Sequence, residues 1–435
     1  MEILAPHSRR NFAAKVTRLA ALVLSFALTL TAHADTLLLR GATVHTVAKG
    51  TLAPGDVLVR DDKIAAVAEH IAEPADRIVD LAGLHLFPGI ISASTDLGLV
   101  EIAEVRSTLD NRETGEFTPE IESWRAVNPD SELIPVARAN GLTHFAPVPQ
   151  GKLIAGTSSL VAARGWTIED MLVRRRTAMH LYWPDHSLTI PGPGVSEKTK
   201  PLDEQARARR EKVRVIEQFF ADAEAWTKRP AGSAPAPAWE AMRAVLSGEI
   251  PLMIHADGQR EIRAALKWCE PHPQLRIVLV GARDAWLFAD ELAKRKIAVI
   301  YGAVFTLPPQ ASDAYDVQFR APGVLHRAGV TVALAGESAS NQRNLPYAAA
   351  QAAAFGLPAD AALAAITLIP AQLHGAGGAL GSIEVGKDAS LFAATGDILD
   401  IRSEVKRLWI SGAEQSLESR HTRLSERYRA RPKAK

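Results

Sequence analysis

From Gly89 to about residue 375, near-continuous apolar runs of strand length alternate with helical stretches. Residues 143–148, 251–255, 276–280, 298–300 and 330–334 are such runs, and helical patterns follow over 258–268 and 285–295. Strands that read as unbroken apolar runs are buried on both faces, as in a parallel sheet covered by helices. This span has room for a (β/α)8 barrel, which takes about 250 residues, with insertions. The expected fold class is therefore α/β, a TIM-like barrel.

The flanks differ. Residues 36–87 hold short strands at close spacing with Gly and Asp turns, the pattern of a small β-sandwich. A module that small is insecure alone. Residues 381–410 carry strands and turns of the same kind, so the two flanks are expected to build one β-sandwich, from segments 35–88 and 376–415, around a barrel at 89–375. Residues 186–240 read as an insertion. Turn-rich Pro191-Gly192-Pro193-Gly194 opens it, and a Pro/Ala/Gly/Ser stretch at 230–237 closes it. Between them 203–226 reads as a charged helix with an apolar face of Val213, Ile216, Phe219 and Phe220. A lid over the barrel mouth and a helix packed on the rim are both open. Residues 416–435 form a basic tail.

The first 34 residues have the form of an export signal. Arg9, Arg10, Lys15 and Arg18 lead a short apolar run, and Ala32-His33-Ala34 is a small-residue cleavage site. The run is short for a membrane span. Ser8-Arg9-Arg10-Asn11-Phe12 also fits a twin-arginine signal, so general secretory and twin-arginine routes both stand, with a periplasmic or secreted product. The single cysteine, Cys269, allows no internal disulfide, and packing must supply the stability. A formal net charge of +1 offers no field to recruit nucleic acid or an anionic membrane.

Phe87-Pro88-Gly89-Ile90-Ile91, Ile254-His255-Ala256, the 329–334 run, Pro370-Ala371-Gln372-Leu373 and the hairpin at 381–389 together resemble the amidohydrolase superfamily, in its imidazolonepropionase-like and exported dipeptidase-like branch. The resemblance spans residues 36 to about 412. It implies hydrolysis of C–N bonds by one or two divalent metals at the C-terminal mouth of the barrel. The implied ligands are two histidines on strand one, a lysine or glutamate on strand four, single histidines on strands five and six, and an aspartate on strand eight.

This chain departs from that pattern. The strand-one histidines become Ser94 and Asp96, the strand-six histidine becomes Val280, and the strand-eight aspartate becomes Glu337. His255 alone of the four histidines remains, and the strand-four residue has no evident position. Two metals are excluded by this donor set. One divalent ion (Zn, Mn or Fe) held by Asp96, His255 and Glu337 is the expectation that keeps the chemistry, and a site with no metal stands beside it. Asp96 and Glu337 are also the candidate catalytic carboxylates, and His144, Lys152, Tyr301 and Arg283 the candidate substrate-binding groups. Two carboxylates facing one cavity need a cation, an arginine or a shared proton.

No Ser-His-Asp elbow or phosphate loop competes with this reading. Two classes remain. One is an exported hydrolase with at most one metal, acting on a small amide or peptide-like substrate. The other is a catalytically inactive binding protein or the partner of an active paralogue. Homo- and hetero-oligomers with a related amidohydrolase fit either.

Overall fold

The computed structural model describes residues 35–190, 199–230, 234, 236–336 and 338–432. The expected export signal at 1–34, part of the 186–240 insertion, the end of the basic tail and Glu337 lie outside the described residues. Among the described residues no helix is long and apolar enough to cross a membrane.

The N-terminal flank supplies β1 (Thr36–His45), β2 (Thr51–Arg60), β3 (Lys63–Ala68), β4 (Arg77–Asp80) and β5 (His85–Pro88). The barrel follows, as β6 (Ile90–Thr95), β7 (Leu142–Pro147), β8 (Ile154–Ala162), β9 (Leu172–Tyr182), β10 (Leu252–Ala256), β11 (Ile277–Gly281), β12 (Ala298–Tyr301) and β13 (Val332–Leu334). The chain then returns through β14 (Leu391–Ala394), β15 (Val405–Ile410) and β16 (Ala413–Gln415).

Both flanks share one eight-stranded sheet, ordered β16-β15-β14-β5-β1-β2-β3 with β4 on β1. The join is β14 antiparallel to β5, where Phe392 stands opposite Phe87 and their rings stack 5.2 Å apart.

The second sheet runs from β6 to β13 in sequence order and is nearly closed. Its seam is filled by the turn at Ala365 and Ile366. Leu334 donates its amide to the Ala365 carbonyl, and Ile91 donates to Ile366. The barrel is less regular than expected, because β8 runs antiparallel to both neighbours. The linkers at 148–153 and 163–171 are the reason. A parallel crossover needs a dozen or more residues, and these are shorter.

Alternation along the strands sorts the core into two layers. Ala178, Met253, Val278, Val280, Ile300 and Ala333 form a buried cluster inside the barrel. The intervening Leu181, Ile254, Leu279, Val299, Tyr301 and Leu334 belong to the cluster shared with the surrounding helices. The insertion helix α1 (Leu202–Thr227) buries Ile216, Phe220, Ala223 and Trp226. Phe219 stacks on Phe117 at 4.2 Å, and Phe220 meets Trp268 edge-on at 4.9 Å. The face expected from sequence is thus packed against the body of the protein.

Candidate functional site at the barrel mouth

A cavity of about 660 Å³ opens at the C-terminal ends of the strands. Ser94, Thr95 and Asp96 line it from the end of β6, Tyr182 and Trp183 from β9, His255 and Asp257 from β10, and Val280, Gly281 and Arg283 from β11. Asp96, His255 and Arg283, separated by long stretches of chain, therefore meet at one opening.

Asp96 follows the last residue of β6. Its Oδ1 is buried with no hydrogen-bond partner among the described residues. Burial pushes its carboxyl above the usual range, against the pull of the Ala339 amide and its own. An unpaired buried acceptor on a cavity wall is costly, and a ligand or water donor would relieve it.

His255 is clamped on two sides. Tyr182 stacks on its imidazole at 4.1 Å with the planes 13° apart. His180 Nδ1 lies 2.9 Å from His255 Nε2. The register places Tyr182 opposite His255 and His180 opposite Met253, so His180 sits one layer deeper on the same inward face. Burial drives the His255 pKa down to about 3. Burial also lowers His180 well below its usual value, with His255 and His374 adding to the effect. Both rings are neutral near pH 7. His374 sits within the barrel, bonded to Thr177 Oγ1 and to the Ala93 carbonyl, each at 2.8 Å.

Asp257 follows β10 and leans over Gly281, whose φ of +77° and missing side chain leave the space. Burial raises the Asp257 pKa, opposed by the Arg283 amide and guanidinium. Glu261, at the start of helix α2 (Gln259–Trp268), accepts the amides of Asp257 and Gly258 at 3.0 and 3.1 Å. That carboxylate is occupied as a helix cap.

The sequence-derived candidates divide. Asp96, His255 and Arg283 line the cavity. Glu337 lies outside the described residues. Tyr301 points outward into the helix layer, because it stands on the alternate face of β12. Its hydroxyl donates to Gln318 Oε1, and burial raises its pKa. His144 does not line the cavity. It pairs in register with Ile91 near the start of β6 and bonds Thr143 Oγ1 at 3.0 Å. Lys152 is exposed and likewise lines no part of it. His180, Tyr182 and Asp257 carry much of the site's geometry. The alternating Thr177–Tyr182 stretch was the available signal for the first two.

The expected ligand set of Asp96, His255 and Glu337 is not complete among the described residues, because Glu337 lies outside them. Among the described residues no three His, Cys, Asp or Glu side chains stand together as a metal cage. Ser94 and Val280 occupy the expected histidine positions, and His255 Nε2 already faces His180.

The Amidohydrolase family model matches residues 153–414. Amidohydrolase tasK of Hapsidospora irregularis is 23% identical over 394 residues, covering 83% of this chain but only 40% of its own length. An amidohydrolase from Thermotoga maritima MSB8 superposes with a TM-score of 0.74 at 26% identity, covering 87% of this chain and 99% of its own. A prolidase complexed with n-methylphosphonate-l-proline has a TM-score of 0.53 at 16% identity, covering 88% and 99%, a likeness of fold alone.

Proposed function

The chain belongs to the amidohydrolase family, and from that premise we propose that it hydrolyses a C–N bond of a small amide or dipeptide-like substrate at the barrel mouth without a two-metal centre. The observation that carries this is Asp96. Its side chain lines a cavity large enough for a small molecule, and burial raises the pKa of its carboxyl, which makes the ionised group a stronger base toward water. Arg283, which lines the same cavity, supplies a cation to polarise a carbonyl, and Tyr182 holds the retained imidazole in place. No step is assigned to a metal, since the described donors do not form a cage for one.

The test is a panel of N-acyl amino acids, dipeptides and cyclic amides offered to purified protein, with divalent metal measured on the same sample. Turnover lost in Asp96→Asn supports the proposal. A metal bound in stoichiometric amount and required for turnover overturns its metal-free form.

A second reading has a specific observation behind it. Ser94 and Val280 stand where the family resemblance implies histidines, as expected of a barrel kept for binding beside an active paralogue. Silence across the whole panel, with co-purification of a histidine-complete relative, would favour it. The basic lead and Ala32-His33-Ala34 support a periplasmic or secreted protein. N-terminal sequencing of the mature chain checks this, with a start near Asp35 expected.

A further inference from the structure

We infer that His180 is a positioning residue that turns the retained histidine from a metal ligand into a neutral hydrogen-bond donor. The inference deepens the metal-free reading proposed above and rests on it only for its consequence in catalysis.

The argument is an accounting of protons. His180 and His255 share one hydrogen bond, Nδ1 to Nε2, at 2.9 Å. A neutral imidazole carries one N–H and one lone pair. Two arrangements therefore satisfy the contact. In the first, His255 Nε2–H donates to His180. His180 must then carry its own hydrogen on Nε2. In the second, His180 Nδ1–H donates to His255 Nε2, and the remaining hydrogen of His255 sits on its Nδ1.

The surroundings of His180 separate the two. Its ring is fully buried, and its Nε2 has no hydrogen-bond partner among the described residues. The neighbouring His374 cannot serve, because both of its nitrogens are engaged. Its Nε2 must donate to the Ala93 carbonyl, so its Nδ1 accepts from Thr177. The first arrangement would bury an N–H with no acceptor, and such donors are rare in folded proteins. The second leaves only a bare lone pair, the less costly orphan. His180 is therefore the donor.

The consequence falls on His255. Its Nε2 lone pair is taken by His180, and its Nδ1 carries hydrogen. It has no lone pair left for a metal ion or for accepting a proton from water. It can still donate a hydrogen bond from Nδ1, the role of a group that steadies a carbonyl oxygen. Tyr182, stacked on the ring, restrains the rotation that would swap the nitrogens. The hydrogen bond to His180, together with the replaced histidines, accounts for one family histidine persisting where no metal cage forms among the described residues.

Long-range proton–nitrogen NMR on the full chain, labelled with 15N histidine, reads the tautomer directly. The His255 signals are assigned by their loss in His255→Gln. The expected pattern is a protonated Nδ1 and a bare Nε2 on His255, with a protonated Nδ1 on His180. A protonated Nε2 on His255 overturns the inference. In His180→Phe, which fills the space without a donor, the His255 nitrogens should move toward the averaged shifts of mixed tautomers. An unchanged pattern in that variant also overturns it. Zinc titrated into the wild-type protein should leave the His255 signals in place, and their displacement by one equivalent overturns it too. These readouts are independent of turnover, so a failed substrate panel would leave them standing.

Discussion

Asp257 lies directly over Gly281, so close that a Cβ added to the glycine would collide with its Oδ1. The two residues end neighbouring strands, and Gly281 holds a φ of +77°, where a side chain is strained in any case. Gly281→Ala is therefore expected to cost about 1–2 kcal/mol and to displace Asp257. Urea unfolding checks the first effect. Ligand affinity at the mouth, once a ligand is known, checks the second.

The raised pKa of Asp96 has a kinetic sign. A base must be ionised to work, so kcat/KM should fall as pH drops through a value above the ordinary aspartate range. Asp96→Asn should lower kcat by about 100- to 10,000-fold, the usual worth of a general base. A variant retaining full turnover would remove Asp96 from that role.

Buried histidines predict acid sensitivity. His144, His255 and His374 are pushed by burial to about 4, 3 and 4 respectively. In the unfolded chain they titrate near 6.5. The folded values are the lower ones, so the unfolded state takes up protons first. Stability is thus full above about pH 6.5 and declines toward pH 4, by up to about 1.4 kcal/mol per unit for each histidine. Asp96 and Asp257, raised by burial, offset part of the loss. Urea midpoints at pH 7 and pH 5 measure the slope, and His144→Gln should make it shallower.

Glu122 anchors the loop that follows β6 against β9. It accepts Arg175 Nη2 at 2.6 Å, Arg176 Nη2 at 3.0 Å and Trp124 Nε1 at 2.9 Å. These partners hold its pKa at about 2 despite the opposing effect of burial. The contribution is present above the unfolded value near 4.5 and is lost as pH falls toward 2. Glu122→Gln is expected to cost about 1–3 kcal/mol at pH 7, because both half-exposed arginines keep access to water. The difference from wild type should shrink on acidification.

Phe220 separates a packed helix from a mobile cover. It is fully buried and meets Trp268 on α2. Phe220→Ala should cost about 3–5 kcal/mol, as for other buried aromatics. Thermal unfolding reads this, and a change below 1 kcal/mol would favour a lid.

The alternating apolar runs, the split flanks and the Pro-Gly entry to β6 were legible in the sequence because each is a local pattern with a local cause. Residues 258–268 read as a helix and form one over Gln259–Trp268. β9 was hidden, since its first half is an exposed basic run at Arg174-Arg175-Arg176, which resembles a solvated loop. With β9 unread, the strand-four position had no address and His180 went unnoticed. Tyr301 was misplaced for a related reason. Its type suits a binding wall, but strand parity sends it outward to Gln318.

The sequence by itself determined which residue types were available: one retained family histidine, His255, with Asp257 close after it, and Ser94, Asp96 and Val280 at the other three histidine positions. Tertiary structure decided what those residues can do. The β9–β10 register sets His180 one layer below His255, and among the described residues no second acceptor reaches His180 Nε2, which directs its proton to His255. Such a hydrogen bond joins positions 75 apart in the chain and depends on which nitrogen faces which. No local pattern encodes that relation, because it comes into being only when the strands pair.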